Sequence, residues 1–303
     1  MIALVVTYLP DDEVAENIAA IVREFGDVIV VDNGSPKGKT ASFRGLPGVD
    51  FVALDANHGV AAALNLGFER AVQRGETWVV SFDQDSRPIS GFALALATSR
   101  AGMGEAAVIG ANIVEAAMAG DYTWLRSGKR CEWLFERVPC SSEDLLDVSM
   151  VVTSGALTSV EVWQELGGFD ESLFIDFVDT DFCLRVRATG RRIGVSNGAV
   201  LHHKLGQRER REVFGFVFHP THHPAFRHYY IARNRVRMLS RHGIREPHWL
   251  LFEVSVVVLW LFRILVFESC RWPKLKAMIL GTWDGLRGRS GPMPEHRARA
   301  LRP

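Results

Sequence analysis

VAAALNLGFERAVQRGETWVVSFDQDS, residues 60–86, changes its period half-way along. Leu64, Phe68 and Val72 recur at helical spacing over 60–73, and the apolar run over 77–82 then reads as a buried strand that ends on Asp83-Gln84-Asp85. A helix thus feeds a strand whose end is acidic. The same alternation repeats toward the N-terminus: strands are expected over 2–7, 28–31 and 51–54, and a helix over 12–24 with Val14, Ile18, Ile21 and Val22 on one face. Such a β-α-β series gives an α/β fold, a mostly parallel sheet with helices on its faces. Ligands of open sheets sit beyond the carboxyl ends of the strands. Those ends carry Thr7-Tyr8, Asp32-Asn33-Gly34-Ser35 and Asp83-Gln84-Asp85-Ser86, so one rim collects polar and acidic groups.

The 303 residues, 48% hydrophobic and 23% charged, suffice for a sizeable core and lie far from disordered or collagen-like chains. A formal net charge of zero hides a split. Up to His203 there are 16 basic and 28 acidic residues, and after it 19 basic and 7 acidic. The first part suits cations or a metal, the second phosphates or an anionic membrane. Cys131, Cys140, Cys183 and Cys270 show no C-x-x-C spacing and read as reduced thiols of a cytosolic protein. The apolar start over 1–7 lacks a basic n-region and reads as a first strand, not a signal peptide. Over 249–267, Glu253 and Arg263 interrupt an apolar stretch, whereas a free span needs about twenty apolar residues. Three readings of it stay open: a helix packed on the protein or lying in the lipid interface, a buried helix, and a span. No G-x-G-x-x-G follows the first strand and no G-x-x-x-x-G-K-[ST] occurs, which removes the dinucleotide fingerprint and the Walker cradle. No nucleic-acid module accompanies the basic half, and no nucleic-acid partner is expected.

Two carboxylates two residues apart at a strand end, Asp83 and Asp85, can serve different ends. One holds a hard cation that bridges a diphosphate, and the other orients a sugar hydroxyl. A lone D-x-D is as readily a turn. Its company argues for the site: Val30-Val31-Asp32-Asn33-Gly34-Ser35, then Asn57-His58-Gly59-Val60-Ala61-Ala62-Ala63-Leu64-Asn65-Leu66-Gly67, then Phe82 to Ser86, then Gly167-Gly168-Phe169-Asp170-Glu171. In this order and spacing the chain resembles the inverting GT-A glycosyltransferases of family 2. Together with Leu173-Phe174-Ile175-Asp176-Phe177-Val178-Asp179-Thr180-Asp181, residues 82–86 are similar to the bacterial rhamnosyltransferases within that family. The likeness covers nearly the whole chain.

The resemblance implies a GT-A nucleotide-diphospho-sugar transferase domain over 1–215, and the residues after it read as a basic amphipathic helical extension over 216–290 and a disordered tail over 291–303. It implies nucleotide contacts from Thr7, Tyr8, Asp32, Asn33, Asn57, Gly59, Asn65, Asp83 and Gln84. Gly59 and the alanines after it begin a helix whose N-terminus suits a phosphate or ribose. Asp85 and His203 would hold Mg²⁺ or Mn²⁺, imidazole being the better ligand for Mn²⁺. Asp179 matches the base that takes the acceptor's proton. Asp181 either supports the acceptor or the base or caps the helix, Asp176 shares either role, and Arg185 pairs with Asp181 one helical turn away. The family pattern has Glu-Asp where this chain has Val178-Asp179, which leaves the second acidic role open. Tyr229-Tyr230-Ile231-Ala232-Arg233-Asn234 is similar to a helix that follows the catalytic domain in rhamnosyltransferase-like members, and Arg233 is the expected contact to an acceptor or a phosphate. His219, His222 and His223 fall in a proline-bounded loop read as acceptor-side or interface chain.

Function then reads as metal-dependent inverting transfer of a deoxyhexose, L-rhamnose from dTDP-L-rhamnose first, to a saccharide or lipid-linked saccharide in bacterial cell-surface polysaccharide synthesis. The expected place is the cytoplasm, peripheral on the inner face of the cell membrane, with homo-oligomerisation left open. The rival reading is an inactive GT-A-fold binding or scaffold protein of a polysaccharide assembly complex.

Overall fold

Strand β1 (Ile2–Thr7) is buried from end to end, as a strand covered by helices on both faces must be, and the sheet grows from it in both directions. The computed structural model describes residues 1–114, 123–127, 135–140, 142–203, 211–213, 216–218 and 222–301. After β1 come α1 (Val14–Phe25), β2 (Val28–Asp32), β3 (Val49–Ala53), α2 (Val60–Gln73) and β4 (Trp78–Asp83), the order read from the sequence. They are followed by β5 (Ser86–Pro88), α3 (Phe92–Gly102), β6 (Ala106–Val114), β7 (Thr123–Ser127), β8 (Phe135–Pro139), β9 (Leu145–Leu146), β10 (Ala156–Ser159), α4 (Val160–Glu165), α5 (Val178–Ala188) and β11 (Arg192–His203).

The large sheet runs β3-β2-β1-β4-β10-β6-β11-β5, with β9 on β11. β2 and β4 both pair with β1 in parallel, in the registers Thr7↔Asp32 and Val6↔Asp83, so the three ends named above finish level with one another. Because β2 and β3 build outward on one side of β1 and β4 returns on the other, the winding reverses between β1 and β4. A crevice opens at such a reversal, and Thr7 and Asp83 stand on its two lips. β10 runs antiparallel to β4 and β6, and β5 doubles back onto β11 with His203 opposite Ser86. The GT-A α/β sheet with a C-terminal helical region is therefore present. Its core on one face joins α1 and α3 to the sheet through Phe25, Phe82 and Phe92, whose rings lie 5.6–6.4 Å apart.

The chain packs as two units: Met1–Arg126, Arg137–Phe174 and Val178–Lys204 in one, and Ser127–Glu136, Ile175–Phe177 and Leu205–Pro303 in the other. The second contains the hairpin β12 (Arg211–Val213) and β13 (Phe216–Phe218) and the helices α6 (Ala225–His242), α7 (Pro247–Phe267), α8 (Arg271–Leu286) and α9 (Glu295–Ala300). Within it α6 and α8 pack backbone to backbone. A Cβ added at Gly281 would stand 2.2 Å from the Tyr229 carbonyl oxygen, and one at Gly285 would stand 2.7 Å from that of Arg233. Gly281→Val is expected to cost about 1–3 kcal/mol or more through overpacking, read as a lowered thermal midpoint.

The tail differs from expectation. Residues 291–301 are engaged by the helical unit: the Tyr230 hydroxyl accepts from the Met293 amide at 2.7 Å, and Arg297 donates twice to Asp284, at 3.0 and 2.9 Å. A wholly buried carboxylate requires partners. Burial pushes the Asp284 carboxyl up, but Arg297 and the Tyr229 hydroxyl outweigh it and hold the group below the usual carboxylate range. Composition marks 291–303 as loop and cannot reveal that Asp284 needs Arg297.

Candidate active site

At the β1/β4 crevice the polar groups are tied to one another. Thr7 Oγ1 donates to Asp32 Oδ1 at 2.9 Å, and the Ser35 amide donates to Asp32 Oδ2 at 2.7 Å. Asp32 is 1% exposed with both oxygens engaged, so it shapes the strand end and the turn. Asn33 and Asn57 form the neighbouring clamp: Asn33 Nδ2 donates to Asn57 Oδ1, which also takes the Gly59 amide, and Asn33 Oδ1 takes the His58 amide. Gly59 has φ +92° and opens α2. A Cβ there would stand 2.5 Å from the Phe174 carbonyl oxygen, and that same oxygen accepts the Val60 amide at 2.8 Å. The first amide of α2 is thus already partnered, which narrows the helix terminus expected to meet a phosphate.

The Asp83-Gln84-Asp85 loop is fixed from three sides. Gln84 Oε1 accepts the Tyr8 amide at 2.8 Å across the crevice, while the Gln84 carbonyl accepts Asn17 Nδ2 at 3.0 Å. On the third side stands Ser154, buried just before the antiparallel return: its Oγ accepts the Asp83 amide at 3.1 Å and shares a 2.6 Å hydrogen bond with Ser86 Oγ. Sequence reading misses Ser154, because only the pairing of β10 with β4 brings it here. Asp83, Gln84 and Asp85 are half-buried, and Tyr8 is exposed. The register of β5 with β11 sets the backbone of His203 opposite Ser86, while the His203 side chain, Lys204 and His219 lie outside the described residues. Among the described residues no three His, Cys, Asp or Glu side chains converge as a metal cage. One or two carboxylates at the mouth of a crevice nonetheless suit a hard cation that takes its remaining ligands from water and a diphosphate.

Two expected site residues of this unit, Asn65 and Asp181, are occupied elsewhere. Asn65 is 8% exposed and spends its amide on a turn: Oδ1 accepts the Phe169 amide at 2.8 Å and Trp163 Nε1 at 3.1 Å, and Nδ2 donates to the Phe169 carbonyl and Glu171 Oε1. It is a brace for residues 167–171, not a nucleotide contact. Asn65→Ala is expected to lower stability by about 1–3 kcal/mol with donor KM unchanged; a raised KM at unchanged thermal midpoint would reverse the assignment. Asp181, fully buried, pairs with Arg185 Nε at 2.7 Å, and Arg185 carries on to the carbonyls of Leu166 and Gly168 at 2.9 and 2.8 Å. The i, i+4 pairing expected of these two is present, and it places Asp181 in the scaffold instead of at an acceptor. Asp179, at the start of α5, is half-buried, and its Oδ1 accepts the Thr180 amide at 2.7 Å.

In the second unit Arg233 is 2% exposed, lies over the rings of Tyr230 and Tyr229 at 4.9 and 5.9 Å, and donates to Asn234 Oδ1 and the Gly291 carbonyl. It is therefore a core cation and not a surface group awaiting a phosphate. Periodicity shows arginines between apolar residues; it cannot show that two tyrosines and the tail shelter one of them. Residues 175–177 are gripped by α6. Asn234 Nδ2 donates to the carbonyls of Ile175 and Asp176, Arg227 pairs with Asp176 Oδ1 at 3.0 Å, and Arg235 lies over the Phe177 ring. Burial raises the Asp176 carboxyl, with Arg227 and then Arg235 opposing, and its Oδ2 has no hydrogen-bond partner among the described residues. Phe174, Asp176 and Phe177 have φ of +67°, +63° and +65°, a region that costs side-chain-bearing residues of order 1 kcal/mol or more each and clusters at functional segments. His222 and His223 line an apolar cavity of about 490 Å³ with Phe226, Pro273, Lys274 and Leu301.

An α/β sheet with an acidic rim at its reversal point is what a nucleotide-sugar transferase requires, and the sequence profile of Glycosyl transferase family 2 matches residues 3–167. The chain belongs to that family and is a glycosyltransferase. Over 297 residues, 95% of this chain and 96% of the relative, it is 28% identical to the dTDP-rhamnosyl transferase RfbF of Shigella flexneri. It is also 26% identical over 267 residues to the Galactofuranosyltransferase GlfT1 of Mycolicibacterium smegmatis, covering 82% of this chain and 87% of that one. Among solved structures, GalNAc-T7 with UDP, GalNAc and Mn²⁺ superposes with a TM-score of 0.60 at 13% identity over 79% of this chain, which spans 47% of that protein. S. aureus TarS 1-349 gives 0.56 at 14% identity over 94% of this chain and 80% of its own. These two share the fold.

Proposed function

We propose that the protein transfers L-rhamnose from dTDP-L-rhamnose, with inversion, to a saccharide or lipid-linked saccharide of the bacterial cell surface, working in the cytoplasm at the inner face of the membrane. The observation that carries this reading is the likeness, over nearly the full length of both chains, to a dTDP-rhamnosyl transferase. The crevice between β1 and β4 supports it as the donor site, with Thr7, Tyr8, Asn33, Asn57, Asp83 and Gln84 as its walls. Asp85, with His203 and in part Asp83, would hold Mg²⁺ or Mn²⁺, which when bound neutralises charge on the diphosphate. Asp179 is the base. It takes the proton of the acceptor hydroxyl as that oxygen bonds to the anomeric carbon, while the bond from that carbon to dTDP breaks on the opposite face. The glycoside and dTDP leave, and the proton remains on Asp179 until solvent removes it. Asp181 with Arg185, and Asp176 with Arg227, hold the flanking backbone.

A donor series tests the reading. Release of nucleoside diphosphate in the presence of acceptor should be fastest from dTDP-L-rhamnose and slower from UDP-sugars. Preference for a galactofuranose donor would move the donor assignment toward the second relative, and absence of release from every donor would favour a binding or scaffold protein.

A further inference from the structure

We infer that α7 and α8 carry two lipid-facing stripes by which the C-terminal unit lies flat on an anionic membrane surface; this deepens the membrane contact proposed above and rests on it. α7 has two opposed faces. At 3.6 residues per turn its buried residues Trp249, Glu253, Trp260 and Ile264 fall within an arc of about 60°, and the exposed apolar residues Leu251, Val254, Val258, Leu259, Phe262, Leu265 and Val266 fall within about 140° on the other side. The inner face is fixed: Glu253 Oε2 accepts Arg235 Nε at 2.8 Å, and Trp260 stacks on His228 with ring centroids 5.0 Å apart. The outer face carries no charge, although this is the one described helix long and apolar enough to cross a membrane. A helix docked along one side through a buried ion pair cannot be ringed by lipid, so its apolar side meets the bilayer in the plane of the interface.

α8 repeats the arrangement independently. Lys274, Ala277, Gly281 and Asp284 are buried, while Trp272, Ile279, Trp283 and Leu286 are exposed on the opposite side, Trp272 at 81%. Lys276, exposed on the same side, donates to the Ala300 carbonyl at 2.9 Å, and the Arg287 guanidinium lies 4.3 Å from the Trp283 ring. Tryptophan beside arginine and lysine is the side-chain chemistry of the headgroup layer. Charge selects the occupant. Residues 268–303 hold eight basic and three acidic residues, so a second copy of this chain would bring like charges together, whereas anionic headgroups neutralise them.

The test uses the purified full chain floated with vesicles of phosphatidylcholine alone or with added phosphatidylglycerol. The chain should float with the anionic vesicles and be stripped from them by alkaline carbonate. Val258→Asp with Ile279→Asp, both strongly exposed sites, should weaken vesicle binding by at least about tenfold at unchanged thermal midpoint. Failure to float with either vesicle overturns the inference. So does retention after carbonate, which means a span, or a self-association that the double variant abolishes. Transfer from dTDP-L-rhamnose to a water-soluble acceptor is measured on the same samples. If it persists while flotation fails, the lipid surface alone is wrong; if it is absent while flotation succeeds, the donor reading is.

Discussion

Asp179→Asn is expected to lower the rate of transfer by about 10²–10⁴-fold while dTDP still binds, measured as product formation and by calorimetric titration. The asparagine carbonyl can keep the bond from the Thr180 amide, so the start of α5 stays in place. What it cannot do is accept the acceptor's proton. Asp181→Asn gives the contrast. Its carboxylate is fully buried and anchors Arg185, which in turn holds two carbonyls of the 166–168 turn, so that variant should lose thermal stability first. Near-normal turnover in Asp179→Asn would take the role of base away from Asp179.

The second large effect concerns the metal. Asp85→Ala and chelation with EDTA should each reduce transfer by about 10²-fold or more, and the two losses should not add, because both remove the same charge from the diphosphate. Mn²⁺ or Mg²⁺ in excess should restore the chelated wild type but not the variant. Full activity in excess EDTA would remove Asp85 from metal binding. The loop itself should survive the substitution, since Ser154 and Asn17 hold its backbone and the Tyr8 amide holds the Gln84 side chain, none of them through the Asp85 carboxylate.

The parallel half of the sheet is legible in the sequence because each strand is a short apolar run closed by polar residues, and each helix repeats at its own period. That alone puts Thr7, Asp32 and Asp83 on one rim, while their level finish comes from the pairing registers. What stays hidden depends on pairing between distant segments. Ser154 reaches the acidic loop only through the antiparallel return of β10, and His203 comes opposite Ser86 only because β5 doubles back. The motif residues divide in a similar way. Spacing marks Asn65, Asp181 and Arg233 as polar positions of consequence, but spacing says nothing of which neighbouring amides, carbonyls and rings are short of partners. In the folded chain the 166–171 turn takes up Asn65, Arg185 and through it Asp181, while Tyr229, Tyr230 and Gly291 take up Arg233.

The grip of α6 on residues 175–177 bears on how this enzyme can be cut or exchanged. A chain ending at residue 215 would keep every carboxylate assigned to donor, metal and base, yet it would lose Arg227, Asn234 and Arg235. Those side chains hold Asp176 and Phe177 in a backbone conformation that they would leave if released. Two residues later comes Asp179. The motif-bearing region is thus not a transplantable module, and a chimaera of two relatives joined between 177 and 227 should work only when both halves come from parents whose α6 and 175–177 segment match.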